Sequence, residues 1–269
     1  MKDKIRIGAF ISGGGSNLQA IIDACESGEI NGKIVFVGAD NPQAKGLARA
    51  ERHSIPRFIV DYGSIIGRYR QDPLNISVPV DFDPEAIRSK QHLFHADADP
   101  ARVEGFFRTR AAAEAAFLQE MAAYPFDLLV LAGFMRNLTP YFIDRVNTDP
   151  DHPRIMNIHP ALLPAFPGVD GYGDTYRYGC KIGGCTVHFI DYGEDSGPII
   201  GQRAFPIEEG ESLDEVREKG LKEEWKLYPE CIRLFSEGRL KLVRRDFSNQ
   251  DHSRPDSAPR ERVHVQVLT

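Results

Sequence analysis

The sequence predicts an α/β fold built on an open, mostly parallel sheet with helices on both faces. Three observations carry that expectation. Apolar strand-like runs alternate with helical segments through the first half of the chain, joined by short links. The stretch 126–134, "FDLLVLAGF", is apolar almost throughout, as a strand buried on both faces should be. Beyond about residue 180, strand-like runs follow one another with no helical pattern between them, which predicts antiparallel additions at one side of the sheet.

The elements follow in order. Residues 5–11 form the opening strand. The glycine turn "SGGGSN" at 12–17 leads into a helix whose Leu18, Ile21, Ile22 and Cys25 fall on one face. "KIVFVGAD" (33–40) is the second strand, "GLARAERH" (46–53) a short helix and "IPRFIVDY" (55–62) the third strand. Residues 63–105 break the rhythm with four prolines, many charges and little apolar periodicity, and read as an excursion inserted on the surface. Asp99-Pro100 reads as an N-cap with Pro at the first helical position, opening a long helix. Thr139-Pro140 starts another short helix, and "RIMNIHP" (154–160) is a strand stopped by its proline. "CTVHFI" (185–190) and "GPIIGQRAFPI" (197–207) are the later strands. Ser212 and Glu215 make a capping box for a long helix that Pro229 is expected to kink or interrupt and Gly238 to end. The organisation expected is one domain over 1–247, with 63–105 as its excursion, and a flexible polar tail over 248–269.

Composition excludes some classes of function. The formal net charge is -6, which argues against a nucleic-acid partner. No apolar run is long enough to span a membrane, and the N-terminus lacks a secretion signal, so a cytoplasmic protein is expected. Cys25, Cys180, Cys185 and Cys231 are scattered, as reduced thiols are, and no second pair with ligand spacing makes a metal site of Cys180 and Cys185. His92, His95, Asp97 and Asp99 sit in the charged excursion and read as solvated rather than as metal ligands.

The glycine turn suits an anion, because free backbone N–H groups and the helix dipole converge at such a helix start. It is neither a P-loop, since no Lys follows the glycines, nor a dinucleotide fingerprint, since Leu18 stands at the third glycine position. A plain tight connection with Ser16 or Asn17 as N-cap explains the same residues, and the local sequence leaves both readings open. In "NIHP", Asn157 and His159 are two apart and leave one face of a strand end, where ligands of parallel sheets bind. An amide donor and an imidazole there polarise a carbonyl and move a proton. Asp195, in a polar turn, is a candidate partner for the imidazole.

Five segments in order, "ISGGGSNLQAI", "LLVLAGFMRNL", "MNIHPALLPAFPG", "GCTVHFIDYGEDSGPII" and "YPECIRLFSEGRLK", resemble those of the glycinamide ribonucleotide formyltransferase family, folate-dependent enzymes of purine synthesis. The resemblance covers most of 5–243 except the excursion. It implies a Rossmann-like fold and transfer of a formyl group from 10-formyltetrahydrofolate, a co-substrate, to the amine of glycinamide ribonucleotide, with no metal. It implies that Gly15, Ser16 and Asn17 hold the acceptor's phosphate and that Glu224 contacts the same acceptor. It implies a folate cleft lined by Met135, Arg136, Asn137, Leu138, Ile190 and Asp191, with Arg110 at its far end, and a catalytic trio of Asn157, His159 and Asp195. The partners implied are small molecules, neither nucleic acid nor membrane, and the chain is expected to be a monomer or homodimer. Asp170 departs from the pattern, standing where the family usually has a His, and so bears on which amine is the acceptor. The competing readings are a relative with another acceptor, a formyltetrahydrofolate hydrolase, and a non-catalytic nucleotide-binding regulator on the same fold. The hydrolase usually has an N-terminal regulatory domain and the transfer-RNA formylating relative a C-terminal β-domain, and neither is expected here.

Overall fold

The computed structural model describes residues 3–246, apart from 75 and 96, and residues 261–269. In chain order its elements are β1 (Ile5–Ile11), α1 (Ser16–Ser27), β2 (Gly32–Ala39), α2 (Leu47–Arg52), β3 (Arg57–Ile59), α3 (Tyr62–Gln71), α4 (Pro84–Lys90), α5 (Pro100–Met121), β4 (Leu128–Leu131), α6 (Pro140–Val146), β5 (Ile155–His159), α7 (Gly171–Arg177), β6 (Ile182–Phe189), β7 (Ile199–Pro206), α8 (Leu213–Ser236), β8 (Leu240–Asp246) and β9 (Glu261–Val267). Seven strands form one sheet in the order β3-β2-β1-β4-β5-β6-β7. The strands from β3 to β5 in that order run parallel, and β6 and β7 are antiparallel additions, as expected. The chain winds outward from β1 to β3, then returns to lay β4 on the other side of β1. That reversal makes the carboxyl ends of β1 and β4 a topological switch point.

Strand parity sorts the core into two faces. Ile7, Ala9 and Ile11 of β1 point to one side, where Leu18, Ile21 and Ile22 of α1 and Leu227, Tyr228 and Ile232 of α8 meet them. Phe10 points to the other side, into an aromatic cluster with Phe117 of α5 at 4.3 Å, Phe134 at 5.2 Å and Phe142 at 5.8 Å between ring centroids. Such buried rings contribute more than aliphatic burial alone through their edge and offset contacts. Gly8 is required here, because a Cβ would stand 2.2 Å from the Phe36 ring that crosses it.

Several expectations are corrected. The excursion is not a solvated loop: it holds α3 and α4, capped by the side chains of Asp61 and Asp83. Ile87 of α4 is buried in a small apolar cluster with Val103 and Phe107 of α5 and Tyr141 of α6. Pro229 does not interrupt α8, which runs unbroken to Ser236; the capping box of Ser212 and Glu215 is present at its start. α7 has no counterpart in the sequence pattern. It is Gly-rich and lacks an apolar face, and it is fixed from outside by Tyr172 packing with Phe205 and Val216. The tail expected to be flexible forms β9 over Glu261–Val267, paired antiparallel with β8; residues 248–260 lie outside the described residues. Alternating Val263, Val265 and Val267 supply the period-2 pattern behind that strand.

All four cysteines are free, and burial pushes the Cys25 thiol up to about 11 and that of Cys185 up to about 12. Among the described residues, no helix is long and apolar enough to cross a membrane, and no group of three or more His, Cys, Asp or Glu side chains is arranged to hold a metal ion.

Candidate active site

A cavity of about 410 Å³ opens at the switch point. Its floor is the glycine turn after β1 and the strip after β4, clipped together: Ser12 N donates to Gly133 O at 3.0 Å, and Met135 N donates to Ser12 Oγ at 2.8 Å. Within the turn the glycine carbonyls are engaged on the protein side. Gly13 O accepts from Gly46 N at 2.9 Å, Gly14 O from Arg49 Nε at 2.9 Å, and Gly15 O from Gln19 N at 3.0 Å. The N–H groups of Gly14, Gly15 and Ser16, trans to them across planar peptides, face the opposite way, on a loop that lines the cavity. Gly15 itself, in the left-handed region at φ 69°, is the N-cap of α1 and offers no side chain to cap it. A Cβ there would also meet Gly46 Cα at 2.8 Å. The plain side-chain cap by Ser16 or Asn17 is therefore absent, and the first turn of α1 is left open to an anion.

Asn17 is buried and turned to α8, where Nδ2 donates to Glu224 Oε2 at 2.6 Å. The Tyr172 hydroxyl donates to Glu224 Oε1 at 2.7 Å. Burial raises the Glu224 carboxyl above its usual range, and these two donors oppose that rise. Both oxygens of this cavity-lining carboxylate are thereby aimed.

At the centre, β5 delivers Asn157 and His159. His159 is 3% exposed, with Nδ1 3.2 Å from Asp195 Oδ2 and Nε2 2.8 Å from Phe166 O. Both ring nitrogens face oxygen acceptors, so both bonds exist together only when each nitrogen carries a hydrogen. Asp195 sits at φ 50°, an uncommon conformation for a residue with a Cβ and of the kind that marks functional positions. Burial disfavours its charge, yet His188, His159 and the Gly168 N–H at 2.8 Å together hold the carboxyl below its usual range. His188 is a member of this centre that the sequence reading does not single out. Its Nε2 lies 3.3 Å from Asn157 Nδ2 and 3.6 Å from Asp195 Oδ1, while Nδ1 is held 2.9 Å from Phe189 O. His188 stands directly opposite Asn157 in the β5–β6 register, a pairing that no spacing in the sequence reveals.

The far end of the cavity has two walls. Met135, Arg136, Asn137 and Leu138 form one; Ile190, Asp191 and the following loop form the other. Asn137 Nδ2 donates across to Glu194 Oε1 at 3.2 Å. Arg136 is held by buried Asp40, Nε to Oδ2 at 2.5 Å, and lies 5.3 Å from the Tyr62 ring centroid. Arg110 is buried on the other side of this end, 5.1 Å from the same centroid, and is not among the described residues that line the cavity. Burial lowers the Arg110 pKa from its ordinary value, while Glu114 pulls it back up. Glu114 is fully buried and anchors the end of the strip, accepting from Thr139 N at 2.7 Å and from Thr139 Oγ1 at 2.5 Å. Burial pushes its carboxyl up to about 7 against those bonds.

Residues 5–232 match the formyl transferase family model. The chain belongs to that family. The phosphoribosylglycinamide formyltransferase of Haemophilus influenzae is 34% identical over 237 residues, spanning 88% of this chain and 90% of its own length. That of Escherichia coli is 32% identical over 238 residues, with 88% and 90% covered. A crystal structure of glycinamide ribonucleotide transformylase 1 from Symbiobacterium toebii matches the fold with a TM-score of 0.67 at 35% identity, covering 99% of this chain and 95% of that one.

Proposed function

We propose that this chain transfers the formyl group of 10-formyltetrahydrofolate to the amine of glycinamide ribonucleotide, a step of purine synthesis in the cytosol. The observation that carries the reading is the order of groups along one cavity. An anion-suited helix start and the Glu224 carboxylate lie at one end, Asn157, His159 and Asp195 at the centre, and a two-walled cleft at the other. A phosphate-bearing amine and a long flat donor call for that order.

The cleft fits the donor on its own chemistry. Leu138 and Ile190 give it apolar wall, Met135 is half exposed there, and Arg136 supplies a fixed cation. The donor, when bound, supplies an activated one-carbon group. In this reading the α1 N-terminus holds the phosphate and Glu224 orients the acceptor, with its own geometry set by Asn17 and Tyr172. Asn157 Nδ2 and His159 Nε2 donate to the oxygen that gains charge as the amine attacks the formyl carbon. The amine loses a proton as the new bond forms, and the departing nitrogen gains one. Asp195 keeps the His159 ring oriented and balances its charge during that relay. Asp170 does not add a bare negative charge at the acceptor end, because Arg177 at 2.9 Å and Arg217 at 3.0 Å neutralise it. That supports the same acceptor despite the unusual residue.

The test is direct. Purified protein is mixed with 10-formyltetrahydrofolate, and release of tetrahydrofolate is followed with and without glycinamide ribonucleotide. Acceptor-dependent release supports the reading; acceptor-independent release identifies a hydrolase; no release with either overturns it.

A further inference from the structure

The loop between β6 and β7 carries Asp191 and Asp195, and it is folded on itself. Asp191 Oδ1 accepts from Gly193 N at 3.0 Å and from Ser196 Oγ at 2.7 Å. A turn so tied moves as a unit, and its position depends on what grips it from outside. At Tyr192 the grip comes from the excursion. His92 N donates to Tyr192 O at 2.9 Å. The Tyr192 hydroxyl donates to Asp144 Oδ1 at 2.5 Å, and Lys90 Nζ donates to Asp144 Oδ2 at 2.5 Å. One carboxylate on α6 thus joins α4 to the loop of Asp195. Burial and the bond to Asp144 push the Tyr192 phenol up to about 12, so it remains a donor throughout the neutral range.

We propose that the 63–105 segment is a brace that positions the Asp191–Asp195 loop against His159, acting through Lys90, Asp144 and Tyr192. The brace is itself anchored. Ile87 is buried against α5 and α6, and Asp81 takes Arg145 at 2.5 Å and the Tyr141 hydroxyl at 3.2 Å. α6 is therefore gripped at two points, and it follows directly on the Met135–Leu138 strip. Lys90 and Asp144 are partly exposed, and an isolated pair of that kind contributes little. The segment holds the loop directly through His92 N to Tyr192 O, and through Lys90 it orients the Asp144 carboxylate that accepts from the Tyr192 hydroxyl; loss of either hold loosens the loop at the residue next to Asp191.

The inference rests on the reading of Asp195 as a group that serves formyl transfer, and its test separates the two. Tyr192→Phe, Lys90→Ala, Lys90→Arg and the double Tyr192→Phe/Lys90→Ala are compared with wild type for kcat, both KM values, thermal midpoint and amide hydrogen exchange over 191–196. Tyr192→Phe is expected to lower kcat about tenfold, the upper range for one hydrogen bond, and to speed exchange in 191–196, with the acceptor KM unchanged. Lys90→Ala should do the same by about threefold, and Lys90→Arg should restore it. The double variant should fall less than the product of the singles, because both act through Asp144. The brace is overturned if exchange over 191–196 is unchanged in Tyr192→Phe and Lys90→Ala. It is equally overturned if kcat falls only in step with the thermal midpoint while exchange rises over the whole chain. If wild type transfers no formyl group, the functional reading fails, and the exchange measurement alone still decides for or against the brace.

Discussion

Replacing Asp195 with Asn keeps the shape of the side chain and removes one charge beside His159. Its size follows from the geometry. At the observed 3.2 Å, a unit pair at an effective dielectric near 20 interacts by about 5 kcal/mol. Desolvation of a mostly buried carboxylate returns part of that, which leaves about 3 kcal/mol for the state in which His159 carries charge. At 1.36 kcal/mol per decade this is a loss in kcat of about 100-fold. The acceptor and folate KM values should change by less than about threefold, because neither the glycine turn nor the Met135–Leu138 strip touches Asp195. Steady-state kinetics with each substrate varied in turn measures this. The same variant has a signature in stability. A carboxyl held below its usual range stabilises the fold above its unfolded pKa of about 3.9, and that contribution is lost as pH falls through the folded value. The stability gap between wild type and variant should be full at pH 7 and close below about pH 4. Near-normal kcat in a folded Asp195→Asn variant would reduce Asp195 to a turn residue and remove the trio as the catalytic centre.

Three other outcomes follow from the same geometry. Gly15→Ala places a Cβ against Gly46 at a left-handed φ, so the acceptor KM should rise at least about tenfold and stability fall by about 1–2 kcal/mol, read by kinetics and denaturant titration. Tyr172→Phe removes a donor from buried Glu224; the acceptor KM should rise about fivefold to tenfold with the folate KM unchanged, and equal effects on both would refute the assignment of Glu224 to the acceptor end. Glu114 has a folded pKa raised to about 7, so its ionisation costs stability as pH climbs from its unfolded value through 7; Glu114→Gln should flatten that decline, and parallel melting curves of the two proteins between pH 5 and 8 would refute it.

The sheet is legible in the sequence where each strand carries its own signal. β1, β2 and β4 are apolar runs with turn residues behind them, and α5 and α8 announce their starts through Asp99-Pro100 and the Ser212 box. Asn157 and His159 are legible together because strand parity is a local property. His188 and Tyr172 are not, because each matters through a partner on another element: His188 through the register that sets it opposite Asn157, Tyr172 through Glu224 52 positions away. The same reason hides α7, whose helix depends on Tyr172 being packed from outside, and it explains why Pro229 does not interrupt α8. A proline forfeits one backbone hydrogen bond, but here α8 is held along its length by the sheet beneath it, and packing outweighs the local cost.

The excursion shows where reading from composition fails physically. Its prolines and charges look like a solvated loop, because a charged side chain carries no mark of whether its partner is water or another residue. Asp81 meets Arg145 64 positions later and Lys90 meets Asp144 54 positions later. Each contact closes a long loop, yet loop-closure entropy grows only logarithmically, so the extra length costs little once Ile87, Phe82 and Phe94 have docked on α5 and α6. The apolar contacts supply the adhesion, and the charges then select one orientation of α4 on α6. A segment read as decoration from its own residues thereby reaches Tyr192, three residues from Asp195, and becomes part of what fixes the geometry at His159.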